Sequence, residues 1–428
     1  MLTNEEIRKL VDVETGDVAR KIFVDPDVYQ QELARIFGRC WLYVGHESQF
    51  KNNGDFITTY MGEDPVIVIR DGAGKINVLL NSCRHRGMKV CRKDEGNARS
   101  FVCSYHGWSF SNSGELLAVP REEVAYCNGI DKGDLGLLRP AQVDTLHGMI
   151  FANWDPDAPS LNEYLGDMKF YLDLMADRME GGIELIGGVH KWIIDGNWKL
   201  AADNFVGDMY HVPVTHGSAV GIGIRKPWGD DGYQISPGNG HGFGGEFGGL
   251  AEGEGVATPY TPFIKKVREN LEKDKGDYVS KIVPIGHGTV FPNFSFLDTM
   301  RFRTFRVWHP KGPNKMEIQA WCVVDKALPD ELKAAVRQQY IFTFGPSGVF
   351  EQEDGENWSQ CTAAAAGWRG RQDNFNYSMG LGREREASEV LGHDLPGKIG
   401  GMWSEINQRA MYRRWRDLMA AESWSDLA

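Results

Sequence analysis

Two short segments of the sequence each combine a cysteine with a histidine. They read Cys83-x-His85 and Cys103-x-x-His106, and seventeen residues separate the two pairs. Thiolate and imidazole both bind transition metals, so the two pairs together predict a four-ligand metal site. Zinc is one candidate, although zinc modules usually group Cys with Cys and His with His. One Cys and one His from each segment favour a [2Fe–2S] cluster, with two thiolates on one iron and two imidazoles on the other.

A second group of metal-ligand residues lies in the segment 196–217, which contains Asp208, His211 and His216. On a helix, Asp208 and His211 would share a face, whereas His211 and His216 can approach one ion only if the helix ends or distorts between them. Pro213 is expected to supply that break, because proline lacks a backbone donor. Two converging imidazoles indicate Fe(II) with one carboxylate and open positions for O₂. Two unrelated surface histidines are the alternative.

Both patterns resemble those of a single enzyme family. Residues 83–108 read C-x-H-R-G-x(n)-C-x-Y-H-G-W, which resembles the Rieske domain of the aromatic ring-hydroxylating oxygenases, large-subunit type. Residues 203–216 read D-N-F-x-G-D-x-Y-H-x-x-x-x-H, which is similar to the mononuclear iron motif of the same family. The resemblance extends over most of the chain, from near residue 28 to near residue 370.

The resemblance implies which residues bind the metals. Two thiolates and two imidazoles would hold the cluster, and a further pair of imidazoles would hold Fe(II). The implied ligands are Cys83, His85, Cys103 and His106 for a Rieske-type [2Fe–2S] cluster, and His211 and His216 for the mononuclear iron.

The third iron ligand is expected from a distant acidic segment. Residues 344–358, FGPSGVFEQEDGENW, resemble the family's helix that supplies the carboxylate, and its G-P-x-G-x-aromatic-E lead aligns Asp354 with the ligand. Glu351, Glu353 and Glu356 lie close by in the sequence. An alignment shifted by one residue is therefore an alternative, as is an acidic, solvated helix face.

The resemblance also implies a route for electrons. Asp208 would bridge His106, in the cluster of one subunit, and His211, at the iron of a neighbouring subunit in a trimer. Asn204 would stand near the iron. The implied partners are a ferredoxin and/or reductase as electron donor, and either a small β subunit in an α3β3 assembly or further α chains in an α3 homotrimer.

Apolar residues on the same segments are candidates for a substrate pocket. Val212 and Val220 lie beside the iron ligands in the sequence, although ordinary core positions would look the same. Such a lining indicates an aromatic hydrocarbon, whereas the basic pair Arg225 and Lys226 leaves an aromatic carboxylate open. The residues that match pocket positions of the family are Phe205, Phe344, Phe350 and the polar His287.

The elements that must position these residues follow two patterns. Short alternating apolar runs over 41–155, separated by Gly, Asp and Asn, predict an antiparallel β-domain. An amphipathic helix is predicted over 26–40. The segment 154–168 is a boundary, beyond which strands and helices alternate. The helices predicted there cover 197–211, 329–345, 347–366 and 401–420.

The fold class is therefore α+β, with a small antiparallel β-domain inserted into a larger one. Residues 38–155 are predicted to form the Rieske [2Fe–2S] domain, and residues 1–37 with 156–428 the catalytic iron domain. The resemblance implies that the latter has an antiparallel sheet covered by helices, of the helix-grip or START-like type. The Gly-rich segment 229–256 is expected to be either a lid or a disordered loop.

Composition excludes several classes of function. A net charge of −12 argues against nucleic-acid binding, which requires a basic face. No apolar run approaches ~18 residues and no signal pattern opens the chain, so we expect a cytoplasmic protein without a membrane span. Seven irregularly spaced cysteines argue against a disulfide framework.

The resemblance implies the α subunit of a terminal oxygenase. It would dihydroxylate an aromatic hydrocarbon ring, using O₂ and electrons from NADH through a ferredoxin and reductase, to give a cis-dihydrodiol. One alternative is a Rieske mono-oxygenase or an aromatic-acid hydroxylase of the benzoate, phthalate or salicylate type. An electron carrier without catalysis and a zinc-stabilised binding module are more remote alternatives.

Overall fold

The computed structural model describes residues 1–127, 129–224, 227–247, 261–299 and 302–427. The chain divides into two compact units. One comprises Phe37–Leu161, and the other comprises Met1–Ile36 together with Asn162–Ala428. The first contains the whole of the predicted inserted domain, residues 38–155.

The first elements belong to the larger unit. Helix α2 begins after Asp25, whose side chain accepts hydrogen bonds from the amides of Asp27 and Val28, and Pro26 occupies its first position. The helix predicted over 26–40 is α-helical only as far as Glu32. It continues as a π-helical turn over Leu33–Phe37, so it ends earlier than expected. The elements here are α1 (Asn4–Arg8), β1 (Val11–Asp12), β2 (Asp17–Ala19) and α2 (Pro26–Glu32).

The inserted unit is an antiparallel β structure, as predicted. Its strands form three sheets, in the orders β6-β5-β4-β7, β10-β9-β8 and β11-β12-β3. The buried core includes Phe56, Ile67, Leu79 and Phe110. The elements are β3 (Leu42–His46), β4 (Asp55–Met61), β5 (Asp64–Arg70), β6 (Ile76–Leu80), β7 (Glu95–Asn97), β8 (Ser100–Val102), β9 (Ser109–Ser111), β10 (Leu116–Ala118), α3 (Glu122–Ala125), β11 (Gln142–Leu146) and β12 (Met149–Asn153).

Helices and a large antiparallel sheet make up the rest of the larger unit. The first half of this stretch contains α4 (Leu161–Leu165), α5 (Met168–Ala176), β13 (Ile183–Ile194), α6 (Trp198–Phe205), α7 (Val212–Thr215), α8 (Gly217–Gly221), β14 (Gly232–Gly238), β15 (His241–Glu246), α9 (Thr261–Lys275), α10 (Val279–Ile282), β16 (Gly286–Val290), β17 (Phe294–Asp298) and β18 (Arg303–Pro310). The second half contains β19 (Met316–Asp325), α11 (Asp330–Phe344), α12 (Val349–Ala366), β20 (Asn374–Asn376), β21 (Arg385–Glu386), α13 (Ala387–Leu391), β22 (Lys398–Gly401) and α14 (Ile406–Ala420).

The large sheet has nine strands in the order β13-β19-β18-β17-β16-β15-β14-β22-β21, and every neighbouring pair is antiparallel. Helices α11, α12 and α14 correspond to the three predicted C-terminal helices. The α+β fold class is thereby confirmed. None of the helices in the described ranges combines the length and apolarity needed to cross a bilayer.

The Gly-rich segment is the main correction to the predicted fold. Residues 232–246 were expected to be a lid or a disordered loop, but they form the hairpin of β14 and β15 inside the large sheet. A Cβ atom on Gly244 would lie 2.4 Å from Gln234 Oε1, so glycine here makes room for a buried side chain on the neighbouring strand. Residues 229–231 and 247 of the expected loop flank this hairpin, and residues 248–256 lie outside the described residues.

A buried ion pair connects three elements of the larger unit. Lys199 Nζ of α6 lies 2.6 Å from Glu32 Oε1 of α2, and both side chains are fully buried. The indole nitrogens of Trp198 and Trp415 also donate to the Glu32 carboxylate, at 3.2 and 2.7 Å. Burial lowers the pKa of Lys199, and the charge of Glu32 opposes that shift. The carboxylate therefore holds α2, α6 and α14 together.

We expect Lys199→Met to lower the free energy of unfolding by about 3–5 kcal/mol, because it leaves Glu32 buried without a counter-charge. Urea denaturation of the purified protein measures the change. Lys9→Met is the matched control, since the Lys9–Glu5 pair has side chains 71% and 79% exposed and should contribute little. Equal losses in the two variants would contradict this role of the buried pair.

Candidate active site

The segment that carries the histidines is turned by a glycine. Helix α6 ends at Phe205, and Gly207 follows with φ of +136°. A Cβ at Gly207 would lie 2.3 Å from Gln234 Oε1, so no larger residue fits the turn. The Asn407 amide donates to the carbonyl of Val206 at 3.0 Å and holds the turn in place. The predicted helix over 197–211 is therefore wrong beyond Phe205, and Asp208 lies in the turn and not on a helix face.

His211 and His216 lie at the two ends of α7, a single turn of helix. Pro213 sits in the first turn of α7, where a missing amide hydrogen leaves no bond unmade, so it does not break the helix as expected. Because α7 is so short, residues five apart can still converge. The two imidazole centroids are 5.3 Å apart.

Asp354 of α12 completes the convergence. Its Oδ1 atom lies 3.4 Å from His211 Nε2 and 3.4 Å from His216 Nε2. One ligand atom from each of the three residues lies within 4.8 Å of the others. This two-histidine, one-carboxylate set is the geometry associated with non-haem Fe(II).

The electrostatics of this arrangement favour a cation. Asp354 is 2% exposed, and no group in the described part of the chain donates a hydrogen bond to its Oδ1. Burial opposes protonation of His211, but the carboxylates of Asp208 and Asp354 outweigh it and raise the pKa of His211 to about 10. The site therefore stabilises positive charge between the two carboxylates. The three ligand residues fit a divalent iron ion.

The outward nitrogen of each imidazole also faces a carboxylate. His211 Nδ1 lies 3.4 Å from Asp208 Oδ2, and His216 Nδ1 lies 2.8 Å from Glu353 Oε2. A proton on each Nδ1 leaves each Nε2 lone pair directed at the space beside Asp354. The contact of Glu353 was missed from the sequence, where this residue appeared only as a neighbour of Asp354.

The acidic residues of α12 contact different groups, which distinguishes their roles. Glu351 forms an ion pair with Arg306 of β18, and both side chains are buried. Burial raises the pKa of Glu351 to about 7, and Arg306 opposes the rise. With Glu351 on Arg306 and Glu353 on His216, only Asp354 of these three faces both Nε2 atoms.

Aromatic side chains surround the histidine pair. The Phe350 ring centroid is 4.8 Å from that of His216 and 5.4 Å from that of Phe344. On the other side, His287 of β16 lies 6.3 Å from His211 and 6.1 Å from Phe205, between ring centroids. The structure thus brings these four predicted pocket residues close to the ligand set.

The remaining predicted residues occupy the neighbouring helices. Asn204 is half-buried on the last turn of α6. Val212 is buried on α7, and Val220 is half-buried on α8. Burial lowers the pKa of His287 to about 4, which keeps its imidazole neutral at pH 7. Arg225 and Lys226 lie outside the described residues.

The inserted unit presents its two Cys–His pairs on equivalent loops. In the first loop, the Cys83 carbonyl accepts from the Gly87 amide at 2.8 Å, and the Cys83 amide donates to the Met88 carbonyl. In the second, the Cys103 carbonyl accepts from the Gly107 amide at 2.9 Å, and the Cys103 amide donates to the Trp108 carbonyl. Each glycine has a positive φ, of 73° and 77°.

The two loops bring the imidazoles together and the thiols together. His85 Nδ1 lies 3.1 Å from His106 Nδ1. Burial raises the pKa of the Cys83 thiol, and the adjacent Cys103 thiol raises it further. Both thiols are buried and both imidazoles are half-buried. Two thiols and two imidazoles on paired loops fit a Rieske-type [2Fe–2S] cluster.

The two sites define a class before any comparison is made, namely an iron–sulfur oxidoreductase with a separate non-haem iron centre. Residues 40–128 match the family model of the Rieske [2Fe-2S] domain, and residues 161–421 match that of the ring hydroxylating alpha subunit (catalytic domain). The chain belongs to the aromatic ring-hydroxylating dioxygenase alpha subunits, whose cofactors are a Rieske [2Fe–2S] cluster and a mononuclear iron.

Individual relatives agree with this assignment. The chain is 44% identical over 441 residues to biphenyl 2,3-dioxygenase subunit alpha of Rhodococcus jostii (strain RHA1), covering 99% of this chain and 93% of that one. It is 42% identical to benzene 1,2-dioxygenase subunit alpha of Pseudomonas putida, with coverages of 99% and 95%. The crystal structure of naphthalene 1,2-dioxygenase from Rhodococcus sp. bound to indole superposes with a TM-score of 0.86 at 38% identity, covering 99% and 100%.

These relatives confirm the dioxygenase interpretation made from the sequence. They do not support the mono-oxygenase, aromatic-acid or electron-carrier alternatives. As an alpha subunit of a multicomponent dioxygenase, the chain works with electron-transfer partners and an aromatic substrate.

Proposed function

We propose that this alpha subunit binds an apolar aromatic hydrocarbon beside an iron ion held by His211, His216 and Asp354, and that both atoms of O₂ are added to the ring as a cis-dihydrodiol. The observation that carries the proposal is the convergence of both Nε2 atoms on Asp354 Oδ1, each at 3.4 Å. When bound, the iron supplies the activation of O₂. His211, His216 and Asp354 would hold the iron, and a set of three protein ligands would leave positions open for O₂.

The protein's own contribution is to hold the ligands and to shape the space beside them. With iron bound, His211 and His216 would each carry one proton, on the Nδ1 that faces Asp208 or Glu353, and each would present Nε2 to the metal. Asp354 is buried, which excludes water from its side of the centre. The ligand set is therefore oriented before the substrate enters.

The chemistry of the surroundings favours a hydrocarbon over an aromatic acid. The Arg306 guanidinium is committed to Glu351, and its carbon lies 4.7 Å from the Phe205 ring centre and 5.4 Å from that of Phe344. Arg306 therefore packs against the aromatic side chains, and Glu351 neutralises its charge, so the guanidinium is not free to bind the carboxylate of an aromatic acid. Relatives named for biphenyl, benzene, chlorobenzene and naphthalene support the same class of substrate.

The partners follow from the same class. A relative is named the large oxygenase component of a naphthalene 1,2-dioxygenase system, which supports a separate donor of electrons. We propose a ferredoxin and reductase fed by NADH, with the chain assembled either as an α3 trimer or with a small β subunit as α3β3. Residues 38–155 would be the electron-accepting Rieske domain, and residues 1–37 with 156–428 the catalytic domain.

The ligand assignment predicts the metal content of three variants. His211→Ala, His216→Ala and Asp354→Ala should each lose the mononuclear iron and keep the cluster's visible spectrum, because the two centres share no ligand. Iron and acid-labile sulfide analysis measures both. Glu356→Ala, which removes an exposed carboxylate from the same helix, is the control and should keep all its iron. Full iron content in Asp354→Ala would overturn the assignment of the third ligand.

The proposed reaction predicts a defined product. With a ferredoxin, a reductase and NADH, the enzyme should convert an unsubstituted or alkylated aromatic hydrocarbon into a cis-diol. Mass spectrometry of the product formed under ¹⁸O₂ should show two labelled oxygen atoms. Incorporation of a single label, or faster turnover of a benzoate than of the matching hydrocarbon, would contradict the proposal.

Asp208 provides a test of the electron route. Asp208→Asn keeps the size of the side chain but removes the charge that orients His211, so product formation should fall by about 100-fold. Iron content and reduction of the cluster by dithionite should remain normal.

A mixed assembly tests whether that route joins two subunits. Mixing cluster-deficient His106→Ala chains with iron-deficient His211→Ala chains should restore some activity, because an intact cluster in one chain can then serve an intact iron site in another. Verified mixed assemblies that stay inactive would place the cooperating centres in one chain.

A further inference from the structure

The two imidazoles of the iron site are oriented by different carboxylates. His211 Nδ1 faces Asp208, a residue that the sequence motif already singled out. His216 Nδ1 faces Glu353 at 2.8 Å, which is shorter than the 3.4 Å between His211 and Asp208. The better-formed of the two contacts is therefore the one to which the motif assigns no role.

Glu353 is itself held at two points. Its Oε2 atom faces His216 Nδ1, and its Oε1 atom accepts a hydrogen bond from the Ser218 hydroxyl of α8. The carboxylate thereby connects α12 to the start of α8. His216 is 4% exposed, and the Phe350 ring packs against its imidazole with centroids 4.8 Å apart. The imidazole of His216 is consequently fixed by a charge at Nδ1 and by an aromatic ring beside it.

We propose that Glu353 is a positioning residue for His216. It keeps the proton of His216 on Nδ1, so the Nε2 lone pair points at the space beside Asp354, and its negative charge strengthens His216 as a metal ligand. The inference rests on the proposed ligand set, because it has a function only if His216 binds the iron.

Glu353 is not an alternative third ligand. Both of its oxygens are engaged, one by His216 Nδ1 and one by Ser218 Oγ. The metal-facing Nε2 lies across the imidazole from Nδ1, so the ring separates the Glu353 carboxylate from the space where Asp354 meets both histidines. Two adjacent carboxylates on α12 thus serve the same histidine from opposite sides.

The rate of iron release tests the proposal on the intact, iron-loaded protein. A colorimetric ferrous chelator is added, and the release of Fe(II) is followed over time. Glu353→Ala should release iron about 10–100-fold faster than the unmodified protein, because loss of such a carboxylate weakens metal binding to that extent. Glu353→Gln keeps an oxygen acceptor for Nδ1–H and should show a smaller acceleration.

A matched control removes the same charge from the same helix. Glu356 is exposed, and its side chain accepts from the Gln360 amide. Glu356→Ala should release iron at the unmodified rate, so a general effect of charge on α12 is separated from the contact with His216. The cluster's visible spectrum and the thermal unfolding midpoint are recorded for each variant.

A spectroscopic readout distinguishes orientation of the ligand from mere stability. The electron paramagnetic resonance signal of the Fe(II)–nitric oxide complex should change its rhombicity in Glu353→Ala, and Glu353→Gln should return it towards the unmodified signal. If Glu353→Ala cannot be loaded with iron, the release rate and the signal of Glu353→Gln are used to test the role of Glu353. Unchanged release and an unchanged signal in loaded Glu353→Ala would overturn the proposal. If only Glu353→Gln can be loaded, a release rate equal to that of the unmodified protein would overturn it.

The same measurements separate this inference from the ligand assignment. His216→Ala is measured in parallel and should hold no mononuclear iron. If His216→Ala keeps its iron, the proposed ligand set itself is wrong. If His216→Ala loses the iron while the Glu353 variants behave like the unmodified protein, the ligand set stands and the role of Glu353 falls.

Discussion

The constraint on which the catalytic unit depends is a buried carboxylate oxygen, Asp354 Oδ1, to which no group among the described residues donates a hydrogen bond. Asp354 is 2% exposed, and its Oδ1 meets two imidazole nitrogens at 3.4 Å. Burying such a charge costs several kcal/mol unless a positive charge accompanies it. A divalent cation bound by both imidazoles satisfies that requirement. The elements around Asp354 are those that bring two imidazoles to it, namely the Gly207 turn and the single turn of α7.

Helix α12 directs three carboxylates to different groups. Glu351 reaches back to Arg306 on the sheet, Glu353 reaches His216 Nδ1, and Asp354 reaches the Nε2 atoms. Successive helical residues point about 100° apart, so neighbours on one helix can serve different partners. Glu351 anchors the helix to the sheet through Arg306, and Asp354 is the residue proposed to bind iron. Arg306 links this anchor to the pocket, since its guanidinium also lies over Phe205 and Phe344.

The cluster site of the inserted unit is built by local interactions. Each Cys–His loop closes on its own backbone, with a hydrogen bond from a positive-φ glycine to the cysteine carbonyl four residues earlier. Local closure of this kind depends on residue types at short spacing, which a sequence displays directly. That is why the pattern over residues 83–108 predicts the family and the cofactor, both of which the family models confirm.

The sequence by itself determined the α+β class, the antiparallel inserted unit, the C-terminal helices and the cofactors, because periodicity and short motifs carry that information. Only the tertiary structure decided that α6 ends at Phe205, that residues 232–246 enter the sheet, and that Glu353 contacts His216 across 137 positions. In each case a partner distant in sequence is responsible. Gln234 and Asn407 pack against glycines that would otherwise indicate a loop, and α12 contacts the segment of His216 although strands β14 to β19 separate the two in the sequence.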